Sequence, residues 1–369
     1  NLRRQRQMCI RDRAAASALP ELDPAPRVLL AADPSESASP GEADTASEDE
    51  VPLALAAAES FDEAVAACSP GAVAEAHRHD RLGSDGLFLI YTSGTTGLPK
   101  AANISHARAL AAAIGSWKLT RLSPSDRVYC CLQLYHSAGG VMSVGCALLS
   151  GATFVVVRRF STKRFWSDCT QYEVTAIQYI GELFRYLLNS PPHPDERRHK
   201  IRVALGNGLR PEVWGPFQER FGIGRIVEFY AATEGNLPLF NLEGRVGAVG
   251  YLPGFVARAL GVSTVRYDVE SDTILRDEAG RCIPCPAEEP GELVVKIARL
   301  TRFEGYTNKA ASEKKVLRDV FEPGDAYFRT GDLLRMDEDG FYYFVDRIGD
   351  TFRWMGENVA TSEVGEVIS

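Results

Sequence analysis

Ten residues, Tyr91-Thr92-Ser93-Gly94-Thr95-Thr96-Gly97-Leu98-Pro99-Lys100, carry the chemistry most readily read from this chain. They follow the apolar run Leu87-Phe88-Leu89-Ile90 and precede a helix-like segment, which predicts a buried strand running into a loop of small hydroxyl residues, glycines and one lysine. Such a loop can grip phosphate. Glycines let backbone N–H groups approach an anion, hydroxyls donate further hydrogen bonds, and Lys100 adds a mobile positive charge. The Walker A spacing does not fit, because the glycines are three apart, Pro99 precedes the lysine and Ala101 follows it. Taken alone, the loop fits a polar strand-to-helix turn equally well.

Four more segments hold residue types of this kind. Phe229-Tyr230-Ala231-Ala232-Thr233-Glu234-Gly235-Asn236 ends a predicted strand, where parallel α/β sheets place ligands. Tyr327-Phe328-Arg329-Thr330-Gly331-Asp332-Leu333 sets an acid after a tight turn, Leu134-Tyr135-His136-Ser137-Ala138-Gly139 follows another strand, and a polar run from Asp346 to Asn358 closes the series. Each alone reads as a loop. Cys282-Ile283-Pro284-Cys285 is a single C-x-x-C in a Gly- and Pro-rich stretch and reads as a turn, since neither a zinc nor a redox partner lies nearby in sequence.

The elements that must position these residues follow from periodicity. At 369 residues and 45% hydrophobic composition the chain can bury a sizeable core in two or more domains. Helices are expected from Ser105 to about Trp117, over 162–172, 182–189 and 211–220, alternating with strands over 127–132, 152–157, 174–180, 201–205 and 225–230. That alternation predicts an α/β fold with a largely parallel sheet. Beyond Asn236 the helices give out, and Gly- and Pro-punctuated β-prone runs predict a smaller β subdomain over 241–345.

Residues 1–86 read as a leader, with disorder expected to about Glu50 and an alanine-rich helix over 61–77. Seven acids and no base lie between Asp33 and Glu50, and without them the net charge of −8 becomes −1. The near-neutral remainder gives no electrostatic case for nucleic acid or an anionic membrane surface. Eight scattered cysteines point to a reducing compartment. The weakly polar stretch 138–149 is too short for the roughly 18 residues of a membrane span. Asn1–Arg13 has no apolar h-region and reads as foreign to the natural protein, and Ser369 falls inside a helix-like pattern, which predicts a piece of a longer protein.

In this order, the loop and the four segments resemble the core motifs of the adenylate-forming (acyl-CoA synthetase) superfamily. The stretches Phe165-Trp166-Ser167-Asp168-Cys169, Gln178 to Leu183, Gly206 to Arg210 and Asp346 to Asn358 are similar to the fatty-acid transport protein and very-long-chain acyl-CoA synthetase branch. The resemblance covers 87–369 and implies the superfamily's large N-terminal domain, truncated at both ends. It divides into a nucleotide-binding core over 87–240, the β subdomain, and a hinge with the start of a C-terminal domain over 346–369.

The implied activity joins a long- or very-long-chain fatty acid to the α-phosphate of ATP and passes the acyl group to coenzyme A. By resemblance, Thr92, Ser93, Gly94, Thr95, Thr96, Gly97 and Lys100 hold the outer phosphates, Thr233 donates to the α-phosphate and Glu234 holds Mg²⁺. Tyr230 lies against adenine opposite Asn207 and Gly208, Asp332 accepts from both ribose hydroxyls, Arg347 meets the ribose-phosphate edge, and His136 stands near the acyl carboxylate. A histidine satisfied within the core is the other reading of His136. His106 supports the loop. Trp166, Tyr179 and Phe184 read as core, although they could neighbour an acyl tunnel. Ala231, Gln133, Gly349 and Met355 depart from the usual pattern, and the branch's catalytic lysine belongs to the C-terminal domain. The branch also implies a membrane-associated parent (endoplasmic reticulum, peroxisome or plasma membrane) with its catalytic part in a reducing compartment. A ligase for bile or aryl acids and a non-catalytic lipid-transport protein are the alternative readings.

Overall fold

Leu87, Phe88, Leu89 and Tyr91 are between 39% and 61% exposed, so the apolar run before the loop is not the buried strand its composition predicts. In the computed structural model, Gly86–Thr92 (β1) pairs antiparallel with Lys100–Ser105 (β2) as a two-stranded hairpin. Its apolar cluster lies on one face, where Ile90 and Ile104 pack on Ala109 and Val141. The second strand had read as a lead into helix, yet Ala101, Ala102 and Ile104 are all buried. The structure describes residues 29–30, 59–60, 67, 81–92, 100–157, 159–348, 352–354 and 357–359. Ser93 to Pro99 lie outside them, as do the 61–77 helix apart from Ala67, Gly349 and Met355.

The chain divides into two units, Asn1–Asp80 and Arg81–Ser369. In the first, Leu29–Leu30 and Glu59–Ser60 pair in parallel, a short ladder where the composition predicts no order before Glu50.

The second unit continues with His106–Thr120 (α1), whose N-cap Ser105 accepts from Arg108 N and whose C-cap Arg121 adopts the left-handed conformation. Six strands follow: Arg127–Cys130 (β3), Thr153–Val156 (β4), Ala176–Ile180 (β5), Val203–Asn207 (β6), Ile226–Tyr230 (β7) and Leu239–Asn241 (β8). They form one sheet in the order β8-β7-β6-β5-β3-β4, parallel except for β8. The intervening helices are Val144–Ser150 (α2), Phe165–Gln171 (α3), Gly181–Leu188 (α4) and Pro211–Phe221 (α5).

Strands apolar at nearly every position need cover on both faces. Tyr129, Ile177, Ala204 and Ile226 face one cluster with Trp166, Phe184, Trp214 and Phe217, while Val128, Ala176, Val203 and Val227 face another with Met142 and Cys146. The expected core role of Trp166, Tyr179 and Phe184 is what the geometry shows: all three are at most 2% exposed, and Phe184 stacks on both Tyr179 and Phe217. Burying each such ring contributes about 1.5–3 kcal/mol.

The second sheet is antiparallel. It contains Ala248–Tyr251 (β9), Val262–Val265 (β10), Gly291–Lys296 (β11), Val316–Arg318 (β12), Ala326–Met336 (β13) and Phe341–Arg347 (β14). The order is β9-β14-β13-β11-β10, with β12 added to β13. Gly331 (φ +77°) bends β13 beside a register shift in its pairing with β11, a conformation an L-residue adopts only at a cost. Asp332 follows at once. Among the described residues no helix is long and apolar enough to cross a membrane.

Candidate functional site

Glu234 lies in the turn after β7, and its residue is only 8% exposed. Leaving a carboxylate there unpaired would be costly. Tyr306 donates its hydroxyl to Oε1 at 2.6 Å, and Lys315 Nζ stands 3.8 Å from the same oxygen. Burial first, then the bond to Glu234, raises Tyr306 above the ordinary phenol range.

The turn itself is held by Arg108 from α1. Its guanidinium donates to the carbonyls of Thr233 (2.6 Å), Glu234 (3.3 Å), Ala232 (3.4 Å) and Gly235. Burial lowers the Arg108 pKa, against the attraction of Glu304 and Glu234. Glu304 fixes the start of α1 by accepting from Ser105 N (2.9 Å) and Ser105 Oγ (2.5 Å). The same segment docks the hairpin. Asn103 N donates to Gly305 O, Thr307 N donates to Ala101 O, and Ala102 bridges Tyr306. Lys100 Nζ therefore lies 5.8 Å from the Tyr306 ring centroid, with Thr92 opposite Lys100 across the hairpin.

Asp332 and Arg347 face each other across β13 and β14, which places Arg347 Nε 3.0 Å from Asp332 Oδ1. Tyr230, the last residue of β7, donates its hydroxyl to Oδ2 at 2.6 Å and so connects the two sheets. Each carboxylate oxygen keeps a further lone pair, so Asp332 can accept additional hydrogen bonds. Burial, then the Asp332 charge, raises Tyr230 well above its ordinary value. Lys315 donates to Thr330 O at 2.9 Å and so stands between Glu234 and the Asp332 turn.

Gly206 lies opposite Glu228 in the parallel ladder, so Asn207-Gly208 and Tyr230 leave the sheet at the same edge. The loop after β6 is tightly placed: a Cβ on Gly181 would fall 1.8 Å from Gly208 O, and Gly208 has φ +75°. Beneath it Glu228 accepts from Leu209 N at 2.9 Å and from the Tyr179 hydroxyl.

His136 lies beyond the end of β3, where it is the N-cap residue of the π-helical segment Ser137–Ser143. It is exposed, with its ring 4.5 Å from that of Tyr135, which removes the reading of a core histidine. The structure thus joins Thr92, Lys100, Glu234, Tyr230, Asp332 and Arg347 through a continuous set of contacts, with Thr233 in the clamped turn and Asn207 and Gly208 at the same sheet edge. His136 is not part of that set of contacts, and Ser93, Gly94, Thr95, Thr96 and Gly97 lie outside the described residues.

Five residues that complete this network escaped the sequence reading: Tyr306, Lys315, Arg108, Glu304 and Glu228. Only Glu228, an acid within the apolar strand Ile-Val-Glu-Phe-Tyr, carried a local signal. A pocket of about 280 Å³ lined by Trp214, Arg225, Leu242 and Glu243 lies by the start of β7 and is separate from these groups. Among the described residues no three His, Cys, Asp or Glu side chains cluster as a metal cage. A single buried carboxylate such as Glu234 fits Mg²⁺, which commonly takes one or two carboxylates and completes its shell with substrate phosphates and water.

The family model described as AMP-binding enzyme matches residues 7–307. Human long-chain fatty acid transport protein 1 is 49% identical over 288 residues, covering 77% of this chain and 45% of the relative. Rat long-chain fatty acid transport protein 2 is 49% identical over 286 residues, with 76% and 45% covered. The chain therefore spans less than half the length of these relatives. Among solved structures, Bacillus subtilis O-succinylbenzoate coenzyme A synthetase in complex with AMP is 26% identical with a TM-score of 0.58, covering 78% of this chain and 54% of that one. ATP-bound MatB from Rhodopseudomonas palustris, 22% identical with a TM-score of 0.66 over 92% of this chain and 62% of its own, shares the fold.

Proposed function

The chain belongs to the AMP-binding enzyme family, and from that premise we propose that it activates long- or very-long-chain fatty acids with ATP, through an acyl-adenylate, for transfer to coenzyme A. The observation that carries this reading is the contact chain Tyr306–Glu234–Lys315–Thr330, next to Asp332 and its partners Tyr230 and Arg347. These contacts connect Glu234, in the turn after β7, with Asp332 on β13 and with the hairpin that bears Lys100, which supports reading the two acids as metal carboxylate and ribose acceptor of one site.

The chemistry requires that a polyanion and a carboxylate meet without repulsion. Lys100 and the Thr92 to Gly97 loop bind the outer phosphates, and Thr233 orients the α-phosphate from a turn that Arg108 keeps rigid. Glu234 would hold Mg²⁺, which supplies charge neutralisation at the phosphates when bound. Asp332 orients the ribose, Tyr230 and the Asn207-Gly208 loop enclose adenine, and Arg347 borders the ribose-phosphate edge. His136, exposed in the segment that follows β3, would border the acyl carboxylate and shield the mixed anhydride from water. The relatives' names support a fatty acid as the acid and a membrane-associated setting for the parent protein.

The test is titration calorimetry with stable acyl-sulfamoyl adenosines that differ only in the acyl group. The long-chain compound is expected to bind at least about tenfold tighter than the acetyl or benzoyl compound, a difference of about 1.4 kcal/mol. A preference for the benzoyl compound would replace the fatty-acid reading with an aryl-acid ligase. No binding of any of them would remove the enzyme reading.

A further inference from the structure

Lys315 belongs to none of the motifs that drew attention in the sequence, yet it is the basic side chain paired with the carboxylate proposed to hold metal. Its backbone is fixed on both sides. The short helix Lys309–Glu313, capped by Asn308, precedes it, and Arg329 N donates to Lys315 O at 2.8 Å where β12 joins β13. The side chain then passes over Gly331, where an added Cβ would lie 3.3 Å from Nζ. Nζ donates to Thr330 O at 2.9 Å and ends 3.8 Å from Glu234 Oε1. The Lys315 side chain is 24% exposed and that of Glu234 is 11% exposed, so little solvent screens the pair.

A carboxylate so enclosed needs a counter-charge at all times. Lys315 supplies one when no nucleotide is present. A divalent cation arriving alone at the same carboxylate would meet that ammonium at close range and be repelled. A cation arriving with a triphosphate brings several negative charges with it, and these can satisfy metal and ammonium together.

We propose that Lys315 is a resident cation at Glu234 that makes divalent-metal binding depend on nucleotide, excluding the bare ion and admitting the metal–nucleotide complex. The inference rests on the assignment of Glu234 as the metal carboxylate. With its two remaining N–H donors, Lys315 then turns from the carboxylate to the incoming phosphate oxygens.

The experiment measures Mn²⁺ binding to the full chain by electron paramagnetic resonance, with and without a non-hydrolysable ATP analogue. In Lys315→Met, Mn²⁺ alone is expected to bind at least about tenfold tighter than in the wild type, equivalent to about 1.4 kcal/mol, and nucleotide should enhance metal binding less. The gain should vanish in the double variant Lys315→Met/Glu234→Gln. Lys315→Arg, which keeps the charge, should retain the wild-type nucleotide dependence and serves as the folded control. An unchanged Mn²⁺ affinity in Lys315→Met overturns the inference while leaving Glu234 as a ligand. Mn²⁺–nucleotide binding that persists undiminished in Glu234→Gln overturns the metal assignment itself.

Discussion

Replacing Glu228 by glutamine should make the protein more stable at alkaline pH while changing it little in mild acid. The residue is 1% exposed on β7, and burial pushes its carboxyl up to about 8 from 4.5, against the opposing hydrogen bonds from Tyr179, Leu209 and Gly208. A folded-state value above the unfolded one means that the folded protein holds a proton the unfolded chain has lost. Its stabilising effect is complete below pH 4.5, declines as pH rises, and is gone above about 8. At 1.36 kcal/mol per pH unit, that interval corresponds to about 5 kcal/mol.

Two other groups frame the measurement. Asp126 is held down to about 2: burial would raise its carboxyl, but the hydrogen bonds from Arg202, Thr175 and Ser123 together outweigh it, so its contribution is already in place above its usual value of 3.8. His199 is lowered below 6.5 by burial, so its contribution grows with pH in the same window and partly masks the decline. Subtracting the wild type from Glu228→Gln cancels both. The assay is urea unfolding at pH 5, 7 and 9 at constant ionic strength, compared through midpoint and slope. The variant's advantage should be smallest at pH 5 and reach about 5 kcal/mol at pH 9. A difference that stays constant to within about 1 kcal/mol would refute the reasoning, because Glu228 would then be charged throughout or exposed to water.

Arg108→Leu strands four main-chain acceptors in the turn after β7 and should cost at least about 3 kcal/mol in urea unfolding; a loss below about 1 kcal/mol would mean that other bonds hold the turn. Gly181→Ala places a methyl against Gly208 O and should destabilise by about 1–3 kcal/mol, with weaker AMP binding by calorimetry because the loop must move; unaltered AMP affinity would count against that loop as an adenine contact. Asp332→Asn removes the charged acceptor shared by Tyr230 and Arg347, so AMP affinity should fall about 10- to 100-fold, and an unchanged affinity would exclude Asp332 from the ribose site.

The alternating sheet was legible because strands such as Ala176–Ile180 and Val203–Asn207 are buried on both faces and separated by helices with clear boundaries, for example Pro211 opening α5 and Gly222 closing it. The same rule misled at Leu87–Ile90. An apolar run looks identical whether it is central in a sheet or half of a two-stranded hairpin, and its partner Lys-Ala-Ala-Asn-Ile-Ser has no period-two pattern to announce a strand. In the site, Glu234 and Asp332 stood out as acids at predicted strand ends and turns. Arg108, Tyr306 and Lys315 did not, because each acquires its role from chain that is distant in sequence or from a bend: Arg108 bonds 124 to 127 residues away, and the Tyr306–Glu234 bond spans 72. The path of Lys315 to its partners depends on the Gly331 bend. No local pattern encodes such meetings.

The clamp that Arg108 closes on residues 232–235 has a consequence for diversification. Its hydrogen bonds go to main-chain oxygens, so they do not depend on which side chains residues 232 and 233 carry. Positions 232 and 233 can drift toward new preferences while the path of the polypeptide stays fixed, so reactivity and architecture can evolve separately at this turn.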